Sequence, residues 1–189
     1  MTRWPSDSTA NWVMTASGRA LDPFSPDPEQ IAIEDIAHHL SQICRFGGAT
    51  ALHYSVAQHS VYVAREMQEW SRFALLHDAS EYVLGDIPRP LKRHATFAAY
   101  RDVEANLQAV IYRTFGIVPD PEAVIELAHI DRRLLRTEQR DLMPPALPGE
   151  GRDDVEPYAF RIVPWTPREA CMTFEKAWKS AHVMPARDE

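Results

Sequence analysis

Four side chains break the apolar pattern of this sequence where helical spacing would turn them inward: His59, the adjacent His77 and Asp78, and Asp131. His59 falls among Val56, Val63 and Met67, and His77-Asp78 falls among Phe73, Leu76 and Leu84. Asp131 falls among Val124, Leu127, Leu134 and Leu135. An inward histidine is ordinarily a hydrogen-bonded core residue, but an unpaired buried carboxylate is costly. A His-Asp dipeptide alone carries little weight; the set does. Two imidazoles and two carboxylates on three helices that can converge make a mixed nitrogen and oxygen donor set. Such a set, without thiolate, suits an octahedral divalent ion with positions open for water and a phosphate oxygen. It suits a closed structural zinc site poorly.

A second layer of polar residues accompanies these four. Glu81 stands four residues after His77 and three after Asp78, one turn further along the same predicted helix. Asp86 follows at that helix's end, ahead of Ile87-Pro88-Arg89-Pro90-Leu91-Lys92-Arg93, a stretch stiffened by two prolines and ending in cations. Arg45 precedes Phe46, Gly47 and Gly48. Arginine offers planar, two-pronged contact with phosphate, and lysine a compact point charge. Arg93 reads as a solvated surface charge. Arg45 and Lys92 are open to either reading.

The elements that must position these residues are helices. Ile33, Ile36, Leu40 and Ile43 recur at helical spacing, and Gly47-Gly48 closes the run. A second helix is predicted over 55–67 and a third over 71–84, closed by Gly85 and Pro88. A fourth covers 100–115, with Gly116 as its stop. A fifth starts with Asp120 as cap and Pro121 in the first turn, and ends before Pro144-Pro145. A last one, over 166–182, opens at Thr166-Pro167-Arg168-Glu169, a capping box, and carries Ala170, Phe174, Ala177 and Trp178. Residues 1–30 form an arm rich in Pro, Ser and Asp, in which Trp12–Thr15 and Arg19–Leu21 flank Ser17-Gly18 as a small β-hairpin. The Pro-rich stretch 144–165, kept polar by Asp153, Asp154 and Glu156, is a lid or a crossing loop. The expectation is a single all-α domain over 1–189, a bundle of five to six helices with a small N-terminal hairpin.

Composition narrows the class. The 189 residues are 45% hydrophobic and 25% charged, as in globular proteins. A net charge of −7 argues against a nucleic-acid polymer as partner, since that binding neutralises many phosphates. A small phosphate-bearing ligand needs only a few local cations. No apolar run approaches a membrane span, no secretory leader is visible, and Cys44 and Cys171 read as free thiols, so a cytoplasmic protein is expected. Trp70 and Trp178 are aromatic candidates for a subunit interface.

The order His59, His77-Asp78, Asp131 resembles the H…HD…D signature of the HD-domain phosphohydrolases. Local strings sharpen the likeness: Cys44-Arg45-Phe46, Tyr54 to Ser60, Leu75 to Glu81, Leu84-Gly85-Asp86-Ile87-Pro88 and Pro90-Leu91-Lys92. They are similar to the branch that holds bacterial 5′-deoxynucleotidases and phage-type dATP and dNTP triphosphohydrolases, over roughly residues 12–142. The resemblance implies a compact HD-domain helical bundle. It implies that His59, His77, Asp78 and Asp131 hold one divalent metal (manganese, cobalt, magnesium or iron, with zinc admitted). It implies that Arg45 contacts the adjoining phosphate and Lys92 binds phosphate, with Arg89 and Phe46 beside the pocket. Glu81 and Asp86 would activate water or protonate the leaving oxygen. Trp12 and Met14 are candidates for stacking on the base, or packing residues over the core. The implied substrate is a deoxynucleoside 5′-phosphate, mono- or triphosphate, and a homo-oligomer is a family expectation. The rival from another class is a metal-dependent nucleotide-binding module without turnover. Such a module would be expected to lose Glu81 and Asp86, and both are present.

Overall fold

The computed structural model describes residues 11–144 and 155–181. Along the chain run strands β1 (Val13–Met14) and β2 (Ala20–Leu21), then helices α1 (Ile33–Gln42), α2 (Val56–Glu66), α3 (Ser71–Leu75) and α4 (Glu81–Leu84). Helices α5 (Arg89–Arg93), α6 (Ala98–Thr114), α7 (Pro121–Leu142) and α8 (Pro167–Ser180) complete it. The protein is therefore all-α with a small N-terminal hairpin. The hairpin pairs Val13 with Leu21 and Met14 with Ala20, antiparallel, around Gly18 at φ +84°.

The helix that carries His59 is the innermost element. In α2 every residue from Val56 to Val61 is buried, and the helix packs against α1, α3, α7 and α8. Ser55 caps it by accepting from the Gln58 amide. The apolar stripes of α1 (Ile36, Leu40), α6 (Leu107, Val110, Ile111) and α8 (Ala170, Phe174) close the core. The caps read from sequence on α7 and α8 are present: Asp120 accepts from the Glu122 amide, and Thr166 and Glu169 cap each other reciprocally.

Among the described residues eight helices stand where five to six were expected. The predicted third helix divides into α3 and α4, because residues 76–80 form tight turns in which Ala79 N–H donates to Leu76 C=O and Glu81 N–H to Asp78 C=O. Gln108 of α6 holds this turn from outside. It donates to the Leu76 carbonyl at 2.7 Å and accepts from the Ser80 amide at 2.9 Å. The proline-bounded stretch after Asp86 adds α5. The first helix stops at Gln42, and Gly47-Gly48 belong to a separate 3₁₀ turn, Arg45–Gly48. On α7 the inward face is Ala123, Ile130, Leu134, Thr137 and Glu138, while Val124 is exposed, so the stripe read from sequence is rotated at its start.

Of the stretch 144–165, residues 145–154, with Asp153 and Asp154, lie outside the described residues, as do 1–10 and residue 182 at the expected end of the last helix. Residues 155–165 form a strap pinned to α2 and α7. Gln58 donates to Val163 C=O and accepts from Trp165 N–H, and Tyr158 N–H donates to Thr137. Phe160 stacks between Tyr158 and Tyr62, and Trp165 stacks on Tyr62. Trp70 and Trp178 are half-buried against the chain's own core, with Phe115 and Arg72 on Trp178. Cys44 and Cys171 are free and half-buried. Among the described residues no helix is long and apolar enough to cross a membrane.

Candidate metal centre

Helix α2 delivers His59 fully buried, and the turn after α3 delivers His77 and Asp78 to meet it. One donor atom from each of the three lies within 4.8 Å of the others, so His59, His77 and Asp78 form a group that can hold a metal ion. The two Nε2 atoms are 3.2 Å apart, and Asp78 Oδ2 is 3.1 Å from that of His77 and 3.7 Å from that of His59. Asp131 arrives from α7, with Oδ1 3.3 Å from His59 Nε2. Its other oxygen accepts from Arg89 at 3.0 Å.

The outer partners decide the tautomers. His59 Nδ1 faces the Glu138 carboxylate at 2.7 Å, and His77 Nδ1 faces the Ala74 carbonyl at 2.7 Å. Both partners only accept, so each Nδ1 carries a hydrogen and donates. Each neutral ring then aims an Nε2 lone pair into the same small space, beside the oxygens of Asp78 and Asp131. Two lone pairs and two carboxylates repel unless a cation sits among them, so the donor set fits a divalent ion. Protons serve the same end: burial disfavours the His77 imidazolium, but the neighbouring Asp78 outweighs it and its pKa is pushed up to about 9. Burial likewise opposes ionisation of Asp78 and Asp131, and the histidines beside them hold both carboxyls well below the usual range.

Around this cage stands a layer of paired charges. Arg45 Nη1 is 3.6 Å from Asp78 Oδ2, and its Nε and Nη2 donate to Glu138 Oε2 at 3.3 and 3.1 Å. Phe46 follows in left-handed backbone (φ 57°), and its ring centroid lies 5.5 Å from the Arg45 guanidinium carbon. Glu81 opens α4 and is buried. Its Oε1 accepts from Lys92 at 2.8 Å, and its Oε2 is buried without a hydrogen-bond partner. Burial, then the charges of Asp78 and Asp86, raise the Glu81 carboxyl well above the ordinary range despite Lys92. Burial raises Asp86 as well.

No family model matches the chain. Over 133 residues it is 39% identical to the uncharacterized protein YfdR of Escherichia coli K12, a match covering 70% of this chain and 72% of YfdR. The chain belongs to the YfdR family. It is also 40% identical, over 116 residues, to an uncharacterized protein of Rhodobacter capsulatus, a match covering 56% of this chain and 59% of that relative.

In this YfdR-family chain the structure brings His59, His77, Asp78, Asp131 and Arg45 together directly. Arg89 joins through Asp131, with its side chain half exposed. Lys92 Nζ lies between Glu81 and Glu104, 2.6 Å from the latter. Arg93 is exposed, as its surface reading required. Trp12 and Met14 are half-buried on the hairpin, whose anchoring bonds run to Asp35 and His39 of α1. Two carboxylates escaped the sequence reading, Glu138 and Glu104. The signal for Glu138 was available: it follows Asp131 by seven residues and Leu134 by four, which places it on the same buried face of α7.

Proposed function

We propose that this chain is a metal-dependent phosphohydrolase of the HD-domain type, acting on deoxynucleoside 5′-phosphates. The observation that carries the proposal is the convergence of two fixed-tautomer Nε2 atoms with oxygens of Asp78 and Asp131. His59, His77, Asp78 and Asp131 would hold the ion: manganese, cobalt, magnesium or iron, with zinc admitted by the donors. When bound, the ion supplies Lewis acidity, which lowers the pKa of water and withdraws charge from a phosphoryl oxygen.

The protein's own groups do the rest. Arg45, on the rim beside Asp78, offsets charge on the phosphoryl oxygens. The free oxygen of Glu81 is available to take a proton from the attacking water or return one to the leaving oxygen. Lys92 holds the other Glu81 oxygen and so fixes which way the free one points. Asp86 shares this proton-transfer layer, and Arg89 borders it through Asp131. In-line attack of water at the α-phosphorus breaks its bond to the 5′ oxygen and expels the nucleoside hydroxyl in either case, leaving orthophosphate from a monophosphate and tripolyphosphate from a triphosphate.

Product analysis tests this reading. Metal-stripped protein, refilled with manganese or cobalt, is offered deoxynucleoside mono-, di- and triphosphates in parallel. Orthophosphate and nucleoside from monophosphates make it a 5′-deoxynucleotidase, and nucleoside with intact tripolyphosphate makes it a triphosphohydrolase. Nucleotide binding without product under every metal overturns the hydrolase reading in favour of a binding module.

A further inference from the structure

Glu138 is fully buried and uses both carboxylate oxygens on different groups. Oε1 accepts from His59 Nδ1 at 2.7 Å and from the Tyr54 hydroxyl at 2.8 Å. Oε2 accepts from Arg45 Nε and Nη2 at 3.3 and 3.1 Å. One oxygen therefore serves the metal side and the other serves the guanidinium that faces Asp78. We propose that Glu138 is the positioning residue that joins the two halves of the site: it holds His59 in the metal-ligating tautomer and Arg45 in the anion-facing pose. The inference rests on the metal reading above and adds a residue and a coupling to it.

The geometry makes the residue type stringent. An amide in place of the carboxylate keeps one acceptor oxygen and gains two N–H donors. If the amide oxygen turns to His59, the N–H groups face the Arg45 donors and the arginine loses its anchor. If it turns to Arg45, an N–H faces His59 Nδ1, which must then surrender its hydrogen and carry it on Nε2, where it blocks ligation. Either flip also removes the negative charge that strengthens the imidazole as a donor. Carboxylate partners of metal-bound histidines typically carry 10–100-fold in metal affinity.

The test is Co²⁺ titration followed by the absorption of the bound ion, on wild type, Glu138→Gln and Tyr54→Phe, with inorganic phosphate then added to each loaded protein. Glu138→Gln is expected to lose about 10–100-fold in Co²⁺ affinity and to weaken phosphate binding. Tyr54→Phe, which keeps the carboxylate, is expected to lose less. Co²⁺ and phosphate affinities of Glu138→Gln within about twofold of wild type overturn the proposal, and so does an equal loss in Tyr54→Phe, which would assign the effect to packing. If Glu138→Gln does not fold, nitrogen NMR of the Zn²⁺-loaded wild type decides: His59 must carry its hydrogen on Nδ1, and hydrogen on Nε2 overturns the assignment. Wild type that takes up no Co²⁺ overturns the metal reading and this inference together. Wild-type uptake with unchanged Glu138→Gln overturns the role of Glu138 alone.

Discussion

His59 and His77 each show one ring nitrogen settled by an outer acceptor, so that in the neutral ring the inner nitrogen is the one left to ligate. That arrangement separates ligands from proton carriers by experiment. Asp131→Ala removes a donor oxygen and releases Arg89, so metal content at fixed manganese or cobalt should fall at least about tenfold while helical circular dichroism persists. Elemental analysis checks this; full metal content in the variant would remove Asp131 from the ligand set. Glu81→Ala leaves Lys92 its second partner, Glu104. It should keep the metal and lose about 10²–10⁴-fold in kcat, the range for a positioned acid or base. An undiminished rate would assign proton transfer to another group. The types and spacing of these residues were legible in the chain because a carboxylate or imidazole on an apolar stripe stands out. Glu138 was passed over because a single glutamate on a helix rich in Arg and Glu looks like a solvated charge until its partners, Tyr54 and Arg45, are known to lie beneath it.

The elements show how a short hairpin and a short helix are tied to the site. Asp35 of α1 is buried and accepts from Ser17 N–H and Ser17 Oγ, each at 2.7 Å. It also faces Arg19 at 3.2 Å, an arginine exposed enough to add little. His39, one turn on, accepts from Ala16 N–H and donates to the Tyr82 carbonyl, which links the hairpin to α4 and so to Glu81. Asp35→Ala leaves the Ser17 donors without their acceptor and should cost about 1–3 kcal/mol. The urea midpoint should fall at constant slope; an unchanged midpoint would mean that the hairpin is held by apolar contact alone. Hairpin, caps and long helices were readable locally because glycine, proline and capping hydroxyls act within a few residues. The break between α3 and α4 was not, since Gln108 comes from α6 and turns the His77-Asp78 segment from a distance of some thirty residues.

The strap over residues 155–165 is bonded along α7 to Arg133, Thr137, Arg140 and Asp141. Asp141 is its acid-sensitive anchor, accepting from Arg140, Arg161 and the Ile162 amide. Burial raises the Asp141 carboxyl, but the bond from Arg140 and the others outweigh it, and its pKa is lowered to about 2. A folded-state pKa below the ordinary carboxylate value means the unfolded chain takes up the proton first. The stabilisation is thus whole above the ordinary carboxylate range and is lost as pH falls from about 4 to about 2. Asp141→Asn should be less stable than wild type at neutral pH and should close that gap as the pH drops through this window, read by thermal melts across pH. A gap independent of pH would place the anchor elsewhere in the strap.

The chain by itself determined an all-α domain with a small hairpin, the helix caps and the candidate donors, because apolar periodicity and capping chemistry act over one or two turns. Only the tertiary structure decided that two Nε2 atoms meet 3.2 Å apart, that one buried carboxylate serves both His59 and Arg45, and that residues 155–165 form a strap. Those facts depend on partners far apart in sequence, and a hydrogen bond or ion pair has no local signature until folding brings its second atom within reach.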